Sequence, residues 1–291
     1  MKRHAAMVGW LFALPWVIGS LLFLAYPLLA SIFYSFTNYS VLRSPRFIGL
    51  DNYRELVHDE VFLTTLKNTA LYTISAVPLA TVIAIALAML LNTKVKGMTV
   101  YRTIFFLPSL VPMIALGVLW LWVFNSQNGL LNESLRWLGL PTPNWLDDPT
   151  VARWTLVIIS MWGCGNAMII YLAALQDVPT ALYEAADLDG ASSWLKTRHV
   201  TLPMISPVIL FNAIMGFIGA MQTFALPYVM FPGGRPARSN YFFAMYLYDN
   251  AFLFQRMGYA SAMGWIMFVV TLILTLMSLK VSSKFVHYEA S

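Results

Sequence analysis

Cutting the sequence at every Asp, Glu, Lys and Arg leaves six long runs without a charge: residues 4–42, 68–93, 103–132, 154–176, 199–234 and 257–279. No other stretch between charges approaches these lengths. A helix on the surface of a water-soluble protein needs a solvated face, and six uncharged runs of this size provide none. Each run is instead long enough to cross a hydrocarbon layer of roughly 30 Å, which takes about 20 residues at 1.5 Å per residue. Composition agrees, because 11% of the 291 residues are charged against roughly 25% in soluble domains. The reading is an all-α integral membrane protein with six transmembrane helices in a single domain over 1–291. The spans fall near 8–30, 71–91, 104–124, 154–175, 205–228 and 260–279.

Lys2 and Arg3 precede the first apolar stretch as they would in a signal peptide. That stretch outruns the usual apolar region of about 7 to 15 residues, so it reads as an uncleaved first helix. An even number of spans places both termini on one side. Under the arrangement with both termini cytoplasmic, the inner segments carry Lys2, Arg3, Lys94, Lys96, Arg102, Lys196, Arg198, Lys280 and Lys284, and the outer segments carry equally many basic residues. The inner segments are shorter and hold their charges near helix ends, where the positive-inside rule applies best. The net charge of +5 is then membrane topology rather than a nucleic-acid footprint, since no basic stripe interleaved with aromatics accompanies it.

Cys164 is the only cysteine and lies inside a predicted span, which leaves neither a disulfide nor a cysteine metal site. His4, His58, His199 and His287 are scattered without metal-ligand spacing. Asp147 and Asp148 read as a solvated turn rather than an acid and base pair. The chain has no GxxxxGK[ST] phosphate loop, and its predicted spans hold no Asp, Glu, Lys or Arg of the kind that marks proton relays. These two absences favour a passive conduit worked by a separate motor. A stand-alone ion-coupled secondary transporter is the alternative, because sodium can be held by backbone carbonyls at broken helices.

One loop differs from the rest. Residues 176–204, beginning QDVPTALYEAADLDGASSWLKTRHVTLP, lie between the fourth and fifth spans and on this topology face the cytoplasm. Pro179 and Thr180 predict a helix start with Thr180 as the cap, followed by Ala181, Ala185 and Leu188 at helical spacing. Glu184 and Asp187, three apart, lie together on that helix. Gly190 permits the turn, Ser192 or Ser193 can cap a second short helix, and Pro203 closes it. The expectation is a helix-turn-helix outside the bilayer.

At these residues the chain resembles a known family. Glu184, Ala185 and Ala186, then Asp189, Gly190 and Ala191, then Leu202 and Pro203 match the EAA loop of binding-protein-dependent ABC importer permeases. The stretch Leu172 to Pro207 resembles the carbohydrate-uptake branch, typified by maltose, lactose and glycerol-phosphate systems. Further likeness lies in Phe47, Gly49, Leu50, Asn52 and Tyr53, in Arg102 through Leu107 and Pro108, and in Gly258, Ala260 and Ala262. The resemblance implies a multi-pass protein of the bacterial cytoplasmic membrane that pairs with a second homologous permease, an ATPase dimer and an extracytoplasmic solute-binding protein. It implies that ATP and Mg sit on the ATPase and that this chain binds no cofactor. The EAA helix would dock in the ATPase, with the Glu184 carboxylate meeting a basic group there.

Residue types suggest a solute pathway. Asn212, Gly216, Gly219 and Thr223 follow a 4, 3, 4 spacing that makes one small, polar helix stripe, explained equally by close helix packing. Gln222 lies beside it, and Trp162, Asn166 and Tyr171 offer rings and polar groups suited to a sugar, although membrane anchoring explains the aromatics as readily.

Overall fold

The computed structural model describes residues 2–93 and 95–282. Lys94, Lys284 and His287 lie outside the described residues, as do the side chains of Lys2, Arg3 and His4. Where water is absent, a backbone must satisfy its own amides, and a helix does so within one segment. The described residues are accordingly helical, with only isolated bridges at Thr37–Phe47 and Ser40–Arg43.

The first apolar run forms α1 (Lys2–Ser20), which passes through a π turn (Leu21–Ala25) into α2 (Tyr26–Ser35). Then come α3 (Asp51–His58), α4 (Glu60–Leu91), α5 (Met98–Phe106), α6 (Met113–Val123), α7 (Leu130–Trp137), α8 (Pro149–Trp162) and α9 (Gly165–Gln176). The remainder is α10 (Thr180–Leu188), α11 (Ser193–Lys196), α12 (Leu202–Met204), α13 (Ser206–Met221), α14 (Ala225–Met230), α15 (Phe243–Tyr248) and α16 (Met257–Ser282). Among the described residues, four helical stretches are long and apolar enough to cross a membrane: Trp10–Ser35, Glu60–Leu91, Ser206–Met230 and Met257–Lys280. Two bent pairs, α5 with α6 and α8 with α9, raise the number to six if each pair is one span.

The differences from the expected spans have local causes. Charge marks the edge of hydrocarbon, not the end of a helix, so α4 begins at Glu60 and carries Lys67 well before Leu71. The third span, expected as 104–124, runs across a 99° bend. Pro108 opens the 3-10 turn Leu107–Leu110, and Val111, just before Pro112, is extended at ψ 126°, the conformation a following proline enforces. The fourth bends by 42° between Trp162 and Gly165. A Cβ on Gly165 would come within 2.8 Å of the Phe105 carbonyl oxygen, so only glycine lets α9 start against the end of α5. Asp148, of the acidic pair, caps α8 by accepting from the Thr150 amide at 2.8 Å.

The chain forms two compact units, one from residues up to Phe62 with Tyr246–Val270, the other from Leu63–Met245 with residues from Thr271 onward. In the first unit, Asp59 gathers segments distant in sequence. Its Oδ2 accepts hydrogen bonds from the hydroxyls of Tyr246 and Tyr259, both at 2.6 Å. Its Oδ1 accepts from the amides of Val61 and Phe62 at the start of α4. Beside it Arg256 pairs with Glu55 at 2.6 Å and lies 4.2 Å over the Tyr259 ring. Burial raises the Asp59 carboxyl, but its four hydrogen bonds outweigh that and hold it below the usual carboxylate value. Burial and the bond to Asp59 push the Tyr246 phenol up to about 12.

Asp59→Ala would strip two phenols of their acceptor, an expected cost of about 1–3 kcal/mol near neutral pH. Because the folded carboxyl titrates below its unfolded value of about 3.9, this contribution is whole above that value and is lost as pH falls through the lower folded one. Thermal melts in detergent should therefore show the gap between Asp59→Ala and the parent closing in acid. A gap independent of pH would mean the carboxylate charge is not what holds the three segments.

Candidate functional site

In the second unit, α4, α8, α9 and α13 line an open cavity of about 310 Å³, at the lower end of the range for small-molecule sites. Helix α4 contributes Tyr72, Ala76 and Thr81, the α8–α9 bend contributes Ser160, Cys164, Asn166 and Tyr171, and the α13 wall is Asn212, Gly216 and Gly219, with Thr223 just beyond. The glycines of the stripe divide its two explanations between them. A Cβ on Gly216 would meet Val77 at 3.1 Å, so that glycine serves helix packing; one on Gly219 would meet nothing within 4 Å, so that glycine leaves open space.

Four of the six side chains read as a pathway, Asn166, Tyr171, Asn212 and Thr223, line this cavity. The other two are not in its lining: Trp162 stands edge-on to the Trp120 ring at 5.6 Å, and Gln222 is exposed at the C-terminal end of α13. Tyr171 is fully buried, and among the described residues its hydroxyl has no hydrogen bond of ordinary geometry, with Thr81 the polar group beside it. The Asn212 amide nitrogen donates back to the Val208 carbonyl at 3.0 Å. The sequence reading missed Tyr72, Thr81, Ser160 and Cys164. For α4 a signal existed, since Tyr72, Ala76 and Ala80 recur every fourth residue and all line the cavity.

The loop of residues 176–204 joins two of these cavity walls, α9 and α13. It folds as a helix, a glycine turn and a second helical segment. Helix α10 begins at Thr180 with Pro179 in the cap position and no side-chain cap. Thr180 therefore does not cap it, because the proline already fixes the non-helical entry and places Thr180 inside the first turn. At the far end the amides of Gly190 and Ala191 bond the carbonyls of Asp187 and Ala186 at 3.0 and 2.9 Å, with Gly190 at φ +70°. This pattern is the Schellman closure, which demands a left-handed residue there.

Ser192 caps α11, accepting from the Leu195 amide at 3.4 Å. Pro203 does not close the second segment: the helix passes through a π turn (Thr197–Thr201) into α12, which contains Pro203 and ends at Met204. Proline is tolerated there because it falls in the first turn after the π turn, where its missing N–H is least costly.

Glu184, Ala185, Asp189 and Gly190 are exposed, whereas Ala186, Ala191, Leu202 and Pro203 are half-buried. Glu184 makes no ion pair among the described residues, while Asp187, one turn later, is engaged by Lys196 Nζ at 2.7 Å. Two large apolar side chains of the loop are also exposed: Leu188, one turn after Glu184, is 90% exposed and Trp194 69%. Beneath the loop, Val178, Tyr183, Val200 and Leu202 pack on a core formed by α4 and α9 residues, among them Tyr171 and Cys164 of the cavity wall. His199 Nδ1 approaches the Leu195 carbonyl of its own helix.

Residues 76–286 match the family described as binding-protein-dependent transport system inner membrane component. The probable ABC transporter permease protein YesP of Bacillus subtilis (strain 168) is 39% identical over 99% of this chain and 94% of its own length. The lactose transport system permease protein LacF of Rhizobium radiobacter is 34% identical over 94% of each. Among solved structures, a bacterial alginate ABC transporter in complex with an alginate pentasaccharide-bound periplasmic protein superposes with a TM-score of 0.84 at 26% identity, covering 97% of this chain and 96% of the other. Match length, identity and fold agree with the helix pattern: the chain is a multi-pass membrane protein and belongs to the inner membrane component family of binding-protein-dependent transport systems.

Proposed function

We propose that the chain is a permease subunit of an ATP-driven importer of a sugar or short oligosaccharide, and that its cavity is part of the solute's path. The observation that carries this reading is connectivity: the helix bearing the exposed Glu184 lies on the segment joining α9 to α13, two helices that wall the cavity. A push on that segment moves cavity walls. Family membership leaves the stand-alone, ion-coupled reading without support.

In this reading both termini and the loop of residues 176–204 are cytoplasmic, and an ATPase dimer carrying ATP and Mg docks on the loop. Glu184 offers its carboxylate to a basic group there, a charge-assisted contact, while Ala185 permits close approach and the exposed Leu188 enters an apolar cleft. A second, homologous permease completes the conduit, and a solute-binding protein delivers from outside. Sugar is favoured by the relatives' names and by the cavity, whose lining mixes the Tyr72 and Tyr171 rings with hydroxyls and amides suited to hydroxylated solutes.

Purification of the chain in mild detergent should bring down an ATPase and a second permease; recovery of the chain alone would count against the reading. Cys164, the only cysteine, lines the cavity, so a solute panel of lactose, arabinooligosaccharides and alginate oligomers can be screened by protection from N-ethylmaleimide. One class should slow its labelling. Protection by none would move the solute path elsewhere.

Tyr171→Phe sharpens the same test. Removing a buried hydroxyl that has no good internal partner should leave folding stability unchanged or raise it, yet weaken solute binding by roughly tenfold if that hydroxyl is kept for the sugar. A solute KM unchanged by the substitution would make Tyr171 a packing residue.

A further inference from the structure

The two short helical segments of the loop are tied by a ring of polar contacts that the family resemblance does not mention. Tyr183 and Asp187 are four residues apart, so they share a face of α10. That face meets the second segment twice. The Tyr183 hydroxyl lies 3.0 Å from Thr201 Oγ1, and Asp187 Oδ1 lies 2.7 Å from Lys196 Nζ. Thr201 Oγ1 also lies 3.4 Å from the Lys196 carbonyl, a long contact to which it can donate while accepting from Tyr183, and this closes the ring.

The π turn is what permits this. In an α-helix, residues five apart point well away from each other, whereas a π turn bonds i to i+5 and brings them towards alignment. The turn Thr197–Thr201 thereby sets Lys196 and Thr201 against α10. Thr201 is buried and Tyr183 half-buried against the core beneath the loop. The exposed ion pair alone would be weak; the phenol contact, shielded by packing, is the firmer half of the tie. Glu184, about a quarter-turn round the helix from Tyr183, is exposed and makes no ion pair among the described residues, so its carboxylate can meet a partner.

We infer that Tyr183, Thr201, Asp187 and Lys196 are positioning residues that make α10 and the segment leading into α13 one rigid lever, so that force applied at Glu184 arrives at Asn212 and the cavity. This rests on the coupling role proposed above. Without the ring, α10 would rock on the Gly190 turn and the motor's stroke would be absorbed in the loop.

The test uses the whole complex in detergent or nanodiscs and reads the far end of the lever. The rate at which Cys164 reacts with N-ethylmaleimide is measured on this chain by mass spectrometry, with and without ADP and vanadate to trap the motor. In the parent complex the trap should change that rate. Tyr183→Phe and Asp187→Lys should keep the ATPase bound and hydrolysing ATP while the trap's effect on Cys164 falls by about fivefold or more. The exchange Asp187→Lys with Lys196→Asp should recover most of it.

A full nucleotide response in both single variants, with the ATPase bound, would overturn the inference, as would an exchange no better than Asp187→Lys alone. A parent chain that brings down no ATPase, or whose Cys164 ignores the trap, would instead remove the coupling reading, and the lever would fall with it.

Discussion

Glu184→Lys chains are expected to reach the membrane at the parental level and to purify without the ATPase that the proposed coupling role assigns to this loop. The carboxylate is exposed and makes no ion pair among the described residues, so the fold of those residues does not depend on it. At a docked interface it would face a cation, and reversing its sign turns a charge-assisted contact into repulsion. Loss of one partner of such a buried pair costs about 2–5 kcal/mol, a fall in affinity of roughly 30-fold or more. Gly190→Pro should reach the same end by another route. Proline requires φ near −65°, whereas Gly190 holds φ +70°, and its amide bonds the Asp187 carbonyl. Insertion should survive, because neither residue lies in an apolar span, while ATP-dependent uptake is lost. Uptake at the parental rate by both variants would sink the assignment of this loop.

Gly258→Ala should cost folding outright. An added Cβ would overlap the Thr37 carbonyl oxygen and come within 3.0 Å of that of Tyr34. Both obstacles are backbone, and the Gly258 amide is itself held by the Tyr39 carbonyl at 2.9 Å. No side chain can swing aside, so the segments must separate, a loss on the order of 4 kcal/mol or more. The natural control is Gly219→Ala, where nothing lies within 4 Å of the new carbon. That variant should melt like the parent while its cavity is smaller by a methyl group. The readout is the fraction of chain recovered monodisperse from detergent. Equal recovery of the two variants would show that the approach of residues 34–39 to Gly258 is not tight.

The contrast between these glycines shows where the sequence was legible. Six charge-free runs announce helices because hydrocarbon excludes charge and unpaired amides alike, and the long helices Trp10–Ser35, Glu60–Leu91, Ser206–Met230 and Met257–Lys280 follow from them. The loop of residues 176–204 was legible for a similar reason. A proline entry, a glycine exit and a serine cap act over three or four residues, so α10, the Gly190 turn and α11 stand near where local chemistry puts them. What misled was equally local: Thr180 looks like a cap until Pro179 takes that position, and Pro203 looks like a stop until a π turn carries the helix past it.

By itself, then, the sequence determined a helical membrane chain, its apolar segments and the form of its one distinctive loop, because solvation and backbone propensity act over short stretches. Only the tertiary structure decided the rest, because the remaining properties belong to pairs distant along the chain. Asp59 finds its two phenols 187 and 200 residues away. The 99° bend between α5 and α6 has prolines as its local cause, but no composition records its angle. Asn166, Tyr171, Asn212 and Thr223 become a cavity lining only when α4 brings Tyr72 and Thr81 to close it. Asp187 and Glu184, equivalent as neighbours on one helix, were separated into a structural tie and an exposed carboxylate by the arrival of Lys196 from the next segment.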